Sequence, residues 1–95
     1  MLFNYKEKAE SNKAKIIKND VRKFKKLCLK EFRKNIKMGL DTTYVDFYPN
    51  VRFSFEDEIS EIVLTELRRE YKNIDFSFSF MHYHNSYKGI KMVAK

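Results

Sequence analysis

A chain of 95 residues with 43% hydrophobic side chains makes one domain with a modest core. One cysteine excludes an internal disulfide, Gly39 and Gly89 as the only glycines exclude a phosphate-cradling loop, and no apolar run comes near the roughly 18 residues of a membrane-spanning helix. The formal charge of +7 is held unevenly: residues 1–40 carry thirteen Lys/Arg against four Asp/Glu, residues 41–71 three against eight, and residues 72–95 four against one, a polarity suited to a molecule with one face turned to an anionic partner.

The first 11 residues read as either strand or helix. From about Asn12 the pattern is helical: Ile17, Val21, Phe24, Cys28 and Phe32 recur at steps of four and three and form one apolar stripe, flanked by Leu27 and Ile36. Gly39 is placed to stop this helix, so a helix is predicted over residues 12–38. At 100° per residue, the side opposite the stripe collects Lys15, Arg22, Lys26, Lys30, Arg33 and Lys37, while Asp20 and Glu31 fall near the stripe's edge. Ordinary solvated helix faces mix charges at i,i+4, whereas like neighbours are mildly destabilising; this helix accepts that cost. Cys28, on the apolar stripe, reads as a small buried hydrophobe in a reducing compartment.

Residues 43–48 alternate as a strand, with Val45 and Phe47 to one side and Tyr44, Asp46 and Tyr48 to the other. Pro49 and Asn50 signal a turn, and residues 51–53 read as a short return strand. Ser54, with Asp57 three positions on, reads as the N-cap of a second helix over residues 55–72, its apolar stripe Ile59, Val63 and Leu67 and its first turn the acidic Glu56, Asp57 and Glu58. Residues 74–82 alternate strictly, placing Ile74, Phe76, Phe78 and Phe80 inward and Asp75, Ser77, Ser79 and Met81 outward. After a turn, residues 90–94 return with Ile90, Met92 and Ala94 inward. The order α-β-β-α-β-β predicts an α+β fold: two helices on one face of a three- or four-stranded, mostly antiparallel sheet. That order resembles a circularly permuted ferredoxin-like fold.

Two surfaces qualify for binding. The six cations of the first helix make a rail for a phosphate backbone, which Lys and Arg hold by Coulomb attraction and counterion release without reading sequence. A Lys-rich solvated face in the product of an AT-rich gene, and a surface that docks on an acidic protein, have the same pattern. The open face of the sheet would carry Tyr44, Tyr48, Arg52 and Lys91, an aromatic and cationic set suited to base stacking, although tyrosine is also simply a good exposed strand former. A second copy of the chain is another candidate cover for that face.

The two histidines stand at His82 and His84, a spacing that on a strand puts both imidazoles on one side. His82-Tyr83-His84 resembles the His-hydrophobic-His motif of HUH endonucleases, which nick DNA through a tyrosine nucleophile. The resemblance implies His82 and His84 as metal ligands, with Tyr5, Tyr71 and Tyr87 as the tyrosines to consider. Two surface histidines without function give the same spacing.

The expectation taken forward is a small, non-enzymatic, cytoplasmic binding protein without cofactor or metal. It would engage nucleic acid, or a protein that handles nucleic acid, as an accessory factor of the phage or mobile-element kind. The alternatives are a protein–protein inhibitor of a host enzyme that never touches nucleic acid, and a metal-dependent HUH-type nickase.

Overall fold

The computed structural model describes residues 4–80 and 87–95. Helix α1 runs from Tyr5 to Lys37, 33 residues or about 50 Å of rod. It begins at Asn4, whose Oδ1 accepts the Glu7 N–H at 3.1 Å, so it starts earlier than its apolar periodicity does. The first turns are exposed throughout residues 5–12 and therefore have no stripe to announce them; the cap and helix-favouring Lys, Glu and Ala carry them. At the other end Gly39 takes φ +81°. The Leu40 N–H bonds the Asn35 carbonyl at 2.9 Å and the Gly39 N–H the Ile36 carbonyl at 3.0 Å, the paired closure of a Schellman motif around a left-handed glycine.

Strand β1 follows at Thr42–Asp46. Residues 47–50 then turn back, with the Val51 N–H on the Phe47 carbonyl at 2.9 Å and Asn50 Nδ2 on the Asp46 carbonyl at 2.9 Å. The expected return strand at residues 51–53 is not formed. Phe47 and Val51 both point into the core, the Arg52 N–H donates to Asp20 Oδ2 of α1 at 3.1 Å, and Phe53–Phe55 winds into a 3-10 turn. That turn leads directly into helix α2, Glu56–Glu70, whose N-cap position is Phe55 without a side-chain bond. Ser54 is thus part of the 3-10 turn and not the predicted cap. Glu56, Asp57 and Glu58 do fill the first turn of α2, where the helix dipole favours them.

Strands β2 (Ile74–Phe80) and β3 (Tyr87–Ala94) complete an antiparallel sheet of three strands in the order β1-β3-β2. The fourth strand that a permuted ferredoxin-like order requires is not among the described residues. Pairing of Thr43 and Phe76 with Met92, and of Val45 and Phe78 with Ile90, sets the inward rows. β3 approaches β1 closely at Gly89: a Cβ there would collide with the Val45 carbonyl oxygen and lie 2.8 Å from Asp46 Cα. The two helices cover the inward face. Phe24 and Cys28 of α1, Ile59, Val63 and Leu67 of α2, and Phe47, Ile90 and Met92 from the sheet side are almost completely buried. The Phe24 and Phe47 rings meet at 5.1 Å between centroids.

The alternation of β2 fades towards its end. Ile74 and Phe76 are buried as expected, but Phe78 and Ser79 are half-buried and Phe80 is 62% exposed. The pairing shifts register between Ser79 and Phe80, so the parity that sends Phe76 inward no longer holds at Phe80.

Candidate nucleic-acid interface

α1 lies with its stripe on the core, so its opposite side faces away from the sheet. Lys15, Arg22, Lys26, Lys30, Arg33 and Lys37 are all exposed. From Lys15 to Lys37 the rail spans about 33 Å at the helical rise of about 1.5 Å per residue. Lys18, Lys23 and Lys34 are exposed beside it. None of the six forms an ion pair among the described residues; Arg22 Nη2 donates only to Asn19 Oδ1, at 3.0 Å.

Cations on the α2 side of the same helix behave differently. Lys25 Nζ reaches both Glu66 Oε1 at 3.0 Å and Glu70 Oε1 at 2.7 Å, and its side chain is only 16% exposed. Burial works against the charged ammonium, but the bonds to Glu70 and Glu66 outweigh it and hold Lys25 above the usual lysine value. Lys13 pairs with Glu58 at 2.9 Å and sits 5.4 Å from the centre of the Phe55 ring. Thus α1 sorts its charge: Lys13 and Lys25 are paired with carboxylates of α2, and the six cations of the outward row are unpaired among the described residues.

The sheet-face set is broken up. Tyr44 and Lys91 are directly paired in register, with Lys91 Nζ 5.9 Å from the Tyr44 ring centre. Tyr48 lies beyond the strand in the turn and is 71% exposed. Arg52 leaves the sheet altogether, because its backbone is tied to Asp20 on α1. What remains is one aromatic–cation pair on the face opposite the helices, so it and the α1 rail cannot grip one stretch of ligand together.

His82 and His84 lie outside the described residues. Of the tyrosines the nickase resemblance raised, Tyr5 is exposed at the start of α1 and Tyr71 is half-buried, 6.4 Å from the Phe76 ring; Tyr87 opens β3. Among the described residues no group of three His, Cys, Asp or Glu converges as a metal site. Burial pushes the Cys28 thiol up to about 12, which leaves it a packing group and not a nucleophile. Glu56 is raised by burial and then by the neighbouring Asp57. No helix of the described residues is long and apolar enough to cross a membrane.

One feature was not read from the sequence. An open groove of about 730 Å³ runs between α1 and α2 over Ile17, Val21, Leu29, Ile62 and Tyr71. It continues past Leu29 and Tyr71 into a second hollow of about 400 Å³ that reaches Ile36. The signal lay in Leu29 and Ile36, which stand about 20° apart beside the main stripe of α1.

Comparison with protein-family models, with curated proteins and with solved structures finds no match to this chain.

Proposed function

We propose that this is a non-catalytic binding protein that holds a nucleic-acid backbone along the outward face of α1, as an accessory to nucleic-acid machinery. The observation that carries this reading is the row of six exposed cations on one rigid helix, none of them ion-paired among the described residues. Lysine dominates the row, and an ammonium attracts phosphate as a point charge without the planar fork that reads base edges. The expected binding is therefore indifferent to sequence and driven by counterion release. A rail of about 33 Å is close to the roughly 34 Å of one duplex turn. The helix is already formed before binding, so little ordering cost opposes association.

The test is a salt titration of binding to mixed-sequence single- and double-stranded DNA and RNA. Affinity should fall linearly on a log–log plot, with a slope of about −0.9 per duplex phosphate neutralised. Replacing Lys26, Lys30 and Arg33 with Gln should flatten the duplex slope by about two to three units while leaving the fold intact, since exposed charge changes cost little stability. Absence of binding to all four ligands at low salt would end this reading.

A further inference from the structure

We infer that the groove between α1 and α2 is a docking site for an amphipathic helix of a partner protein, one whose apolar stripe is bordered by carboxylates. This goes beyond the backbone-binding reading and does not depend on it. The floor is apolar and incompletely covered: Ile62 is 38% exposed and Ile36 43% exposed, on either side of the half-buried Leu29 and Tyr71. Leu29 and Tyr71 line both hollows, which joins them into one trough. Along α1 the trough extends from Ala14 to Ile36, about 33 Å or some six helical turns. That is a helix-sized slot, too long and too open for a compact small molecule.

Charge selects the occupant. The α1 wall is lined by Lys18, Arg22 and Lys26 and, further along, by Arg33 and Lys37. The α2 wall carries Glu66 and Glu70, but both carboxylates are bound to Lys25 at the bottom of the groove. The trough thus offers apolar surface beneath a one-sided cationic rim. A helix with leucine-type residues at i, i+4, i+7 and i+11 and Glu or Asp beside them satisfies both at once. A second copy of this chain offers the same cationic rim and would meet it with like charge.

The rim is shared with the phosphate rail, whereas the floor is not, and this separates the two readings. The probe is a fluorescent synthetic peptide of about five helical turns with that leucine spacing and flanking glutamates. Its controls are a peptide of equal composition with the leucines dispersed around the helix, and one with lysines for the glutamates. The acidic amphipathic peptide should bind the full chain, and both controls should bind at least about tenfold more weakly. Ile62→Glu and Ile36→Glu, each at a site more than a third exposed, should weaken the peptide by about tenfold and change duplex binding by no more than about threefold. Lys30→Gln with Lys34→Gln, which lie off the groove, should do the reverse. Backbone NMR shifts on wild-type protein give a readout independent of any variant's folding: the acidic peptide should move Leu29, Ile36, Ile62 and Tyr71. The proposal is overturned if the dispersed peptide binds as tightly, if shifts map to another face, or if sedimentation shows a dimer that Ile62→Glu dissociates. Loss of duplex binding alone would leave it standing.

Discussion

Cys28 shows how far one position in this chain is committed to packing. It is fully buried on the apolar stripe of α1, and burial alone lifts its thiol from 9.0 to about 12. An acid whose folded value lies above its unfolded value stabilises the fold in full below the unfolded value, and that contribution is lost as pH climbs from about 9 towards 12. In denaturant titrations above pH 9, wild type should therefore lose about 1 kcal/mol more per pH unit than Cys28→Ala, although the alanine variant starts lower because of its cavity. Equal alkaline slopes would show that the thiol ionises without unfolding. Its neighbours on the stripe, Val21, Phe24 and Phe32, were legible from period alone, because each is buried in the single core. Arg52 was not. Its sequence neighbours look like a strand, and only a carboxylate 32 positions away, Asp20, draws its backbone towards α1.

Between the two helices the organising contact is Lys25 with Glu66 and Glu70. Glu66 and Glu70 stand at i,i+4, a like-charge pair that α2 tolerates because an ammonium from α1 sits between them. The partners are partly exposed, at 29% and 36%, so screening limits the effect. Lys25→Met should cost about 1–2 kcal/mol, with part of that recovered when Glu70→Gln is added. Because the Lys25 value is raised on folding, the clasp contributes fully at neutral pH and is lost as pH passes above the ordinary lysine range. A double-mutant cycle by chemical denaturation that returned no coupling would show that the two helices are held by apolar contact alone. Elements with strong period were readable: the alternation of β2 holds over Ile74–Phe76 before it fades towards Phe80, and the acidic first turn of α2 forms as read. The start of α1 was hidden, because residues 5–12 are exposed on all sides and a helix without a buried face has no period to detect. The false strand at residues 51–53 arose from two apolar residues spaced by two, a spacing that a turn burying Val51 and a 3-10 turn also produce.

The molecule as a whole is long for its mass. Its radius of gyration is 15.6 Å and its extents are 60 × 30 × 20 Å, against the roughly 12 Å expected for a compact chain of this length. The excess follows from α1 outreaching the 15-residue α2, and it is what lets the phosphate rail and the groove run side by side. The rail was legible because charge at helical spacing needs only α1 to exist. The groove was not, since it is a property of two helices and of how far apart their walls stand.

The strand order β1-β3-β2 has a consequence for how the chain is made. β1 and β2 are not paired with each other; each pairs with β3, and β3 is the last of the three to leave the ribosome. Until it emerges no rung of the sheet can form, and the core around Phe24, Phe32, Ile59 and Leu67 lacks Ile90 and Met92, both fully buried in the finished fold. Synthesis therefore releases an uncovered apolar helix early and completes it late, a window in which chaperones compete with folding. Force-sensing arrest sequences fused behind progressively longer nascent chains should register a pull only once residues 87–94 have cleared the exit tunnel. A pull registered after α2 alone would show that the two helices can bury each other before the sheet exists.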